Sequence, residues 1–263
     1  MPALFSTTTL GAPVRTVAGV LRDLDTLAAV ARRFGYTVAG PARLLAVDDE
    51  VRFSAAGAAA LRVRILAADT TAFAWTLPPV RHSVALAPSD GGTRLTHELH
   101  WTSGVDREPV RRLLEAWSVE VARRTAALLA APVVVATALV HGHTLLAAQR
   151  TRPPELAGRW ELPGGRVEAG ETEREAVVRE CREELGTVVV PGGRLGTDLP
   201  IAAGVLRVRT ARLAVDAPLP RPLEHAALRW VEATDVPRVE WVDADRAVVP
   251  ELVHLLGVRA RRS

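Results

Sequence analysis

The stretch Gly165–Thr187, GRVEAGETEREAVVRECREELGT, constrains this chain more than any other. Its pattern predicts a helix from about Thr172 to Leu185, ended by Gly186, which adopts the left-handed backbone of a helix end without a Cβ clash. Glu180, Glu183 and Glu184 stand at i, i+3 and i+4, so three carboxylates project from one face within a turn. Like charges at this spacing destabilise an isolated helix by roughly 0.2–0.5 kcal/mol per pair. Two readings accommodate them. In the first, Glu175–Arg179 and Arg179–Glu183 are i,i+4 ion pairs on a solvated surface helix. In the second, a hard divalent cation collects the oxygens; Mg²⁺ or Mn²⁺ suits a cluster without His/Cys zinc spacing.

The chain has 263 residues, room for one large domain or two of ordinary size. With 48% hydrophobic and 24% charged residues it is globular in composition, which excludes a disordered chain. All 33 basic side chains are arginine. Before Pro132 there are 15 arginines against 12 acids, and from there on 18 against 18, so neither half offers a surface for a nucleic acid polymer. Cys181 stands alone and forms no internal disulfide, which points to a reducing cytoplasm. A secretory signal and an apolar run of ~20 residues are both missing, so no membrane is expected as partner. The oligomeric state is not written in the sequence.

Pro132 stops one helical pattern and Val133 starts a strand at once, with no flexible tether between, giving two domains, 1–131 and 132–263. In the first, a strand at Ala3–Leu10 precedes two short helices near Pro13–Leu21 and Leu24–Phe34. Alternating segments follow at Glu50–Phe53, Leu61–Leu66, Thr71–Leu77, His82–Ala87 and Arg94–Trp101. Asp106 then caps a long helix with Val110, Leu114, Trp117, Val121 and Leu128 on one stripe. His97 shares a strand face with Leu95 and Leu99 and reads as a core histidine, while Trp75, Trp101 and Trp117 either fill the core or line a cavity. In the second domain, strands at Val133–Val140 and Leu145–Gln149 flank an exposed His141-Gly142-His143 turn. A strand near Val205–Val215, another at Ala227–Glu232, a helix from about Ala244 to Leu256 and a basic tail, Arg259–Arg262, complete the chain.

The order strand, two helices, antiparallel strands, long helix resembles the START-like helix-grip fold of the polyketide cyclase and lipid-transfer superfamily, over about residues 1–131. That resemblance implies an α+β domain able to bind a hydrophobic small molecule. The stretch Gly165–Thr187 resembles the Nudix box, G-x5-E-x7-R-E-U-x-E-E-x-G-U with U a bulky aliphatic, and matches all its fixed Gly, Glu and Arg positions. Cys181 and Thr187 stand at the aliphatic positions. This implies an α/β/α sandwich in which the Gly164 carbonyl, Glu180, Glu183, Glu184 and Glu224 form the metal set. Arg179 orients the carboxylates, and Gly165, Gly170, Glu171 and Gly186 are structural.

The flanks, over about residues 132–257, resemble the MutT-type nucleoside triphosphate pyrophosphohydrolases, with Arg159-Trp160-Glu161-Leu162-Pro163-Gly164-Gly165 ahead of the box. By this resemblance Arg150, Glu161 and Arg166 contact substrate, and Glu224 reaches the metal from a loop. Asp245 reads the base edge, unless it merely caps the last helix. An ionised Asp accepts hydrogen bonds only, which favours exocyclic amino groups on the base. The expected activity is Mg²⁺-dependent hydrolysis of a nucleoside triphosphate, 8-oxo-dGTP or CTP/dCTP, to the monophosphate and pyrophosphate, with Glu183, Glu184 or Glu224 as general base. The alternative is a catalytically weak nucleotide sensor coupled to a hydrophobic-ligand module.

Overall fold

The computed structural model describes residues 2–40, 44–78, 80–102 and 106–260, the last three by backbone alone, so the expected basic tail lies outside the described side chains. The chain divides into two compact units, Met1–Ala131 with Thr197–Pro200, and Pro132–Gly196 with Ile201–Ser263. Among the described residues, no helix is long and apolar enough to cross a membrane.

The first unit runs β1 (Ala3–Leu10), α1 (Val14–Arg22), α2 (Leu24–Arg32), β2 (Thr37–Ala39), β3 (Glu50–Ser54), β4 (Leu61–Ala68), β5 (Ala72–Leu77), β6 (Val80–Ser89), β7 (Gly92–Trp101) and α3 (Arg107–Leu129). The strands form one antiparallel sheet, β1-β7-β6-β5-β4-β3-β2. Period-2 alternation fixes its faces: Val63 and Ile65 are buried, while Arg62 and Arg64 between them face water. The Asp106 carboxylate accepts the Glu108 N–H at the start of α3, a cap of about 1 kcal/mol. The expected stripe from Val110 to Leu128 is buried.

His97 is a core residue, as its strand face implied, and it has a partner the sequence did not reveal. His82 Nε2 and His97 Nδ1 are 3.1 Å apart, both rings are fully buried, and the His82 ring packs on Trp75 and Trp117. Trp75 and Trp117 do both things anticipated for them. They are buried, and with Leu27, Phe34, Phe53 and Leu99 they line an apolar cavity of about 280 Å³.

The second unit runs β8 (Val133–His141), β9 (Thr144–Gln149), β10 (Trp160–Glu161), α4 (Glu173–Leu185), β11 (Val189–Ile201), β12 (Gly204–Leu213), β13 (Ala227–Glu232), α5 (Asp243–Arg246) and α6 (Val249–Ala260). Its mixed sheet has the order β10-β9-β8-β12-β11, with β13 also on β9 and β8 parallel to β12. The helix α4 lays Ala176, Val177, Cys181 and Leu185 on Val135, Leu139 and Leu146 of β8 and β9. Cys181 therefore does an aliphatic residue's work: it is fully buried, and burial pushes its thiol up to about 12. Thr187 is buried too, its hydroxyl donating to the Pro218 carbonyl at 2.6 Å.

One strand was not anticipated, and two expectations need correction. β11 runs through Pro191, Gly192, Gly193 and Gly196, a composition that reads as loop. The single C-terminal helix is two, α5 and α6. Glu175 does not serve Arg179; it closes a reciprocal capping box with Thr172 at the start of α4.

Candidate active site

Three pieces of backbone make the site: the turn Leu162–Val167, the helix α4 and the loop before β13. The turn is strapped to β8 by bonds from Val135 N–H to the Gly165 carbonyl (2.8 Å), Thr137 N–H to Pro163 (2.7 Å) and Val167 N–H to Val133 (2.9 Å). A side chain at Gly164 would run into the Val135 carbonyl, so only glycine lets the turn lie this close. A Cβ at Gly165 would instead overlap the Glu180 carboxylate. Both glycines are thus spent on close approach, one toward the strand and one toward the helix.

The helix carboxylates converge on that turn unequally. Glu184 Oε2 accepts the Gly164 N–H at 3.0 Å. Burial pushes its carboxyl up to about 7, helped by Glu180 and Glu161 and opposed by His225 and the Gly164 N–H. Glu180 is 12% exposed, and burial also raises its pKa, although Arg179 donates to it at 2.8 Å. Glu183 is 53% exposed and accepts from the same Arg179 nitrogen at 3.1 Å.

Arg179 gathers the box. It donates to both Glu171 oxygens (2.9 and 3.0 Å), to Glu180, to Glu183 and to the Arg166 carbonyl (2.8 Å). The bonds to Glu171 are the main reason that its own pKa rises and that of Glu171 falls. Glu171 also accepts the Glu168 N–H at 3.0 Å, bracing the loop as a structural residue would. Gly170 and Gly186 both have the positive φ such turns require, +82° and +61°. The Arg166 side chain is exposed, and its contact with the box is through backbone.

A second network borders the first. Glu161 Oε2 accepts from Arg150, and its Oε1 lies 3.3 Å from His225 Nε2. Asp245 is buried and accepts the Leu162 N–H at 2.8 Å, next along the chain from Glu161. Burial raises its carboxyl to about 7, with Glu161 adding to the rise and the Leu162 N–H opposing it. It does not cap a helix: the N-cap of α5 is Val242, which has no side-chain hydrogen bond.

Glu224, on the loop before β13, is 53% exposed, with Arg152 3.8 Å away, and the residue that turns inward is its neighbour His225. The loop is pinned on both sides of this pair, Leu223 N–H to the Glu184 carbonyl (3.0 Å) and Ala226 N–H to Gln149 (2.8 Å). Burial works to lower the His225 pKa, but the bond to Glu161 and the charge of Glu184 outweigh it and the value rises. Sequence reasoning missed His225; its only signal was adjacency to Glu224.

The donor chemistry suits a hard divalent cation. Glu180 and Glu184 carry oxygen donors into a half-buried place where they repel each other, close against the Gly164–Gly165 turn. Among the described residues no three His, Cys, Asp or Glu side chains are gathered as a cation cage, since Arg179 draws Glu180 and Glu183 to itself.

The family model "NUDIX domain" matches residues 130–252. A Mycobacterium tuberculosis (strain CDC 1551) protein named "Putative 8-oxo-dGTP diphosphatase 2" is 50% identical over 128 residues, covering 48% of this chain and 90% of that protein. The Escherichia coli (strain K12) CTP pyrophosphohydrolase is 31% identical over 130 residues, 49% of this chain and 94% of that protein. The solution structure of the E. coli ORF135 protein aligns over 50% of this chain and 92% of its own, at 30% identity and a TM-score of 0.41. With its box residues on α4 and the Gly164–Gly165 turn, and with the two sequence relatives at 50% and 31% identity covered to 90% and 94% of their length, the chain belongs to the Nudix family.

Proposed function

We propose that this chain is a Mg²⁺- or Mn²⁺-dependent pyrophosphohydrolase that cuts a nucleoside triphosphate, 8-oxo-dGTP or CTP/dCTP, into the monophosphate and pyrophosphate, cleansing the cytoplasmic nucleotide pool. The observation that carries this reading is the pair Glu180 and Glu184, held half-buried against Gly164 and Gly165 with their carboxyls raised by burial. Unrelieved, such a pair is costly, and a divalent cation relieves it. The Gly164 carbonyl, Glu180 and Glu184 would hold the cation, with Glu183 and Glu224 as further donors. When bound, it supplies charge neutralisation on the phosphate oxygens and a nucleophilic water at neutral pH.

The remaining roles belong to the chain. Arg150 turns from Glu161 to the phosphates. Arg166, exposed beside the box, adds a second positive charge. Asp245 meets the base, and with a carboxyl near 7 it offers an acceptor when ionised and a donor when protonated. Glu183 or Glu184 takes the proton of the attacking water. The test is pyrophosphate release with Mg²⁺ from 8-oxo-dGTP, dCTP and CTP, beside AMP release from ADP-ribose. Turnover of one or more triphosphates supports the reading; nucleotide binding without release supports a sensor instead.

A second reading concerns the first unit, as a helix-grip, START-like module for a hydrophobic small molecule. The cavity of about 280 Å³ between aromatic and aliphatic side chains favours it. Saturable fluorescence of an anilinonaphthalene dye, abolished by Leu27→Trp at the cavity wall, would support it, and dye binding unchanged in that variant would remove it.

A further inference from the structure

The residue His225 belongs to no motif of the box, yet its ring is 5% exposed and it is fixed from both sides by the loop bonds of Leu223 and Ala226. Burying an imidazole is unfavourable unless its polar atoms are bonded. Among the described residues its one hydrogen bond is to Glu161, since Nδ1 is buried without a partner. A carboxylate only accepts, so Nε2 carries the proton and donates. Glu161, itself 16% exposed, is thus held from two sides: by a nearly buried ring and by the long, more exposed side chain of Arg150.

We propose that His225 is a positioning residue, which keeps Glu161 bonded and in place when Arg150 leaves it for the phosphates of a nucleoside triphosphate. The proposal rests on the hydrolase reading above for the role of Arg150. Arg150 cannot fully serve Glu161 and a polyphosphate together. Without His225, its departure strips a buried carboxylate of every side-chain partner, which is unfavourable. Glu161 then either retains Arg150 or follows it toward the phosphates and repels them. With His225 present, one oxygen stays bonded, its charge is partly offset, and the guanidinium is released at lower cost.

The experiment compares wild type with His225→Ala, His225→Gln, Glu161→Gln and the double variant His225→Ala/Glu161→Gln. Calorimetry with inorganic tripolyphosphate in chelator reads the availability of Arg150 without metal or turnover. His225→Ala should bind about tenfold more weakly, and His225→Gln, which keeps an N–H donor, should stay within about threefold of wild type. In the Glu161→Gln background the alanine change should have no further effect, because there is no carboxylate left to hold. In turnover, KM should rise about tenfold and kcat fall by less than about threefold.

Equal losses in both backgrounds would make His225 a packing residue and overturn the proposal, as would unchanged binding in His225→Ala or a wild type that does not bind tripolyphosphate. Should the binding pattern hold while no nucleotide is cleaved, the hydrolase reading falls and the link between His225 and Arg150 stands.

Discussion

The His82–His97 pair of the first unit and the carboxyls around α4 in the second meet burial in different charge states. In the first, His82 and His97 face each other among Trp75, Trp117 and aliphatic neighbours, and burial drives both pKa values down, His97 to about 4. The rings are neutral and the surroundings lose nothing by it. In the second, Glu180 and Glu184 are half-buried and Asp245 is buried, all three with values raised by that burial, and Glu180 accepts from an arginine that serves four acceptor residues in all. Carboxylates held against their own desolvation mark a place shaped for something absent from the chain. Burial pushes both kinds of group toward their neutral forms, the rings downward and the carboxyls upward. The difference is that rings held well below 6.5 are neutral at pH 7, while carboxyls raised only to about 7 still carry charge there.

The sharpest way to break this contrast is Glu184→Gln. The amide oxygen still accepts the Gly164 N–H, so the fold should persist and the melting temperature hold or rise as a buried charge is removed. Turnover should fall at least about 100-fold, since this carboxylate is proposed as a cation ligand. Steady-state pyrophosphate release alongside thermal melting checks both halves, and near-normal turnover would put Glu184 with the structural acids. Gly165→Ala is the next test. Its methyl would displace the far end of the Glu180 side chain rather than backbone, so kcat should drop about tenfold at nearly constant melting temperature. Gly164→Ala, aimed at the Val135 carbonyl, should instead lose stability first.

The sequence made the helix carboxylates, Arg179, the two glycines and Gly186 legible because their relations are local: spacing along one helix dictates which side chains share a face. The elements it hid depend on distant partners. β11 carries Pro191 and three glycines and is a strand only because β12 pairs with it. Glu175 had two local uses, pairing with Arg179 or capping with Thr172, and the cap wins because Arg179 is already engaged by Glu171, eight residues back. Glu224 and His225 differ by one position, and which of them turns inward is decided by bonds to Gln149 and Glu184 that no periodicity encodes. The His82–His97 pair was half visible. His97 read as core from its face, but its partner lies across a β6–β7 register that only the folded sheet sets.

The histidine pair gives the first unit a pH dependence of definite sign. Both values lie below the ordinary 6.5, so the unfolded chain binds protons that the folded one refuses. Stability should be complete above about pH 6.5 and decline as the pH falls toward 4, by up to about 1.4 kcal/mol per unit for each ring. Melting curves between pH 7.5 and 4.5 should show the loss, and His82→Leu/His97→Leu, which removes both partners together, should flatten it. An unflattened curve would place the acid sensitivity elsewhere.

Asp245 should show the mirror image on a smaller scale. Its folded value of about 7 lies above the ordinary carboxylate range, so its contribution is fully present below about pH 4 and lost as the pH rises through 7. Asp245→Asn keeps an acceptor for the Leu162 N–H and carries no charge to desolvate. The variant should therefore melt a few degrees above wild type at pH 8, roughly 1 kcal/mol, and lose that advantage near pH 4.5. A uniform offset at both pH values would mean that Asp245 is held by packing alone. The expected crossing would separate it from the histidines, which lose stability in the direction where it gains, and would group it with the acids around Glu161 that the site holds at a cost.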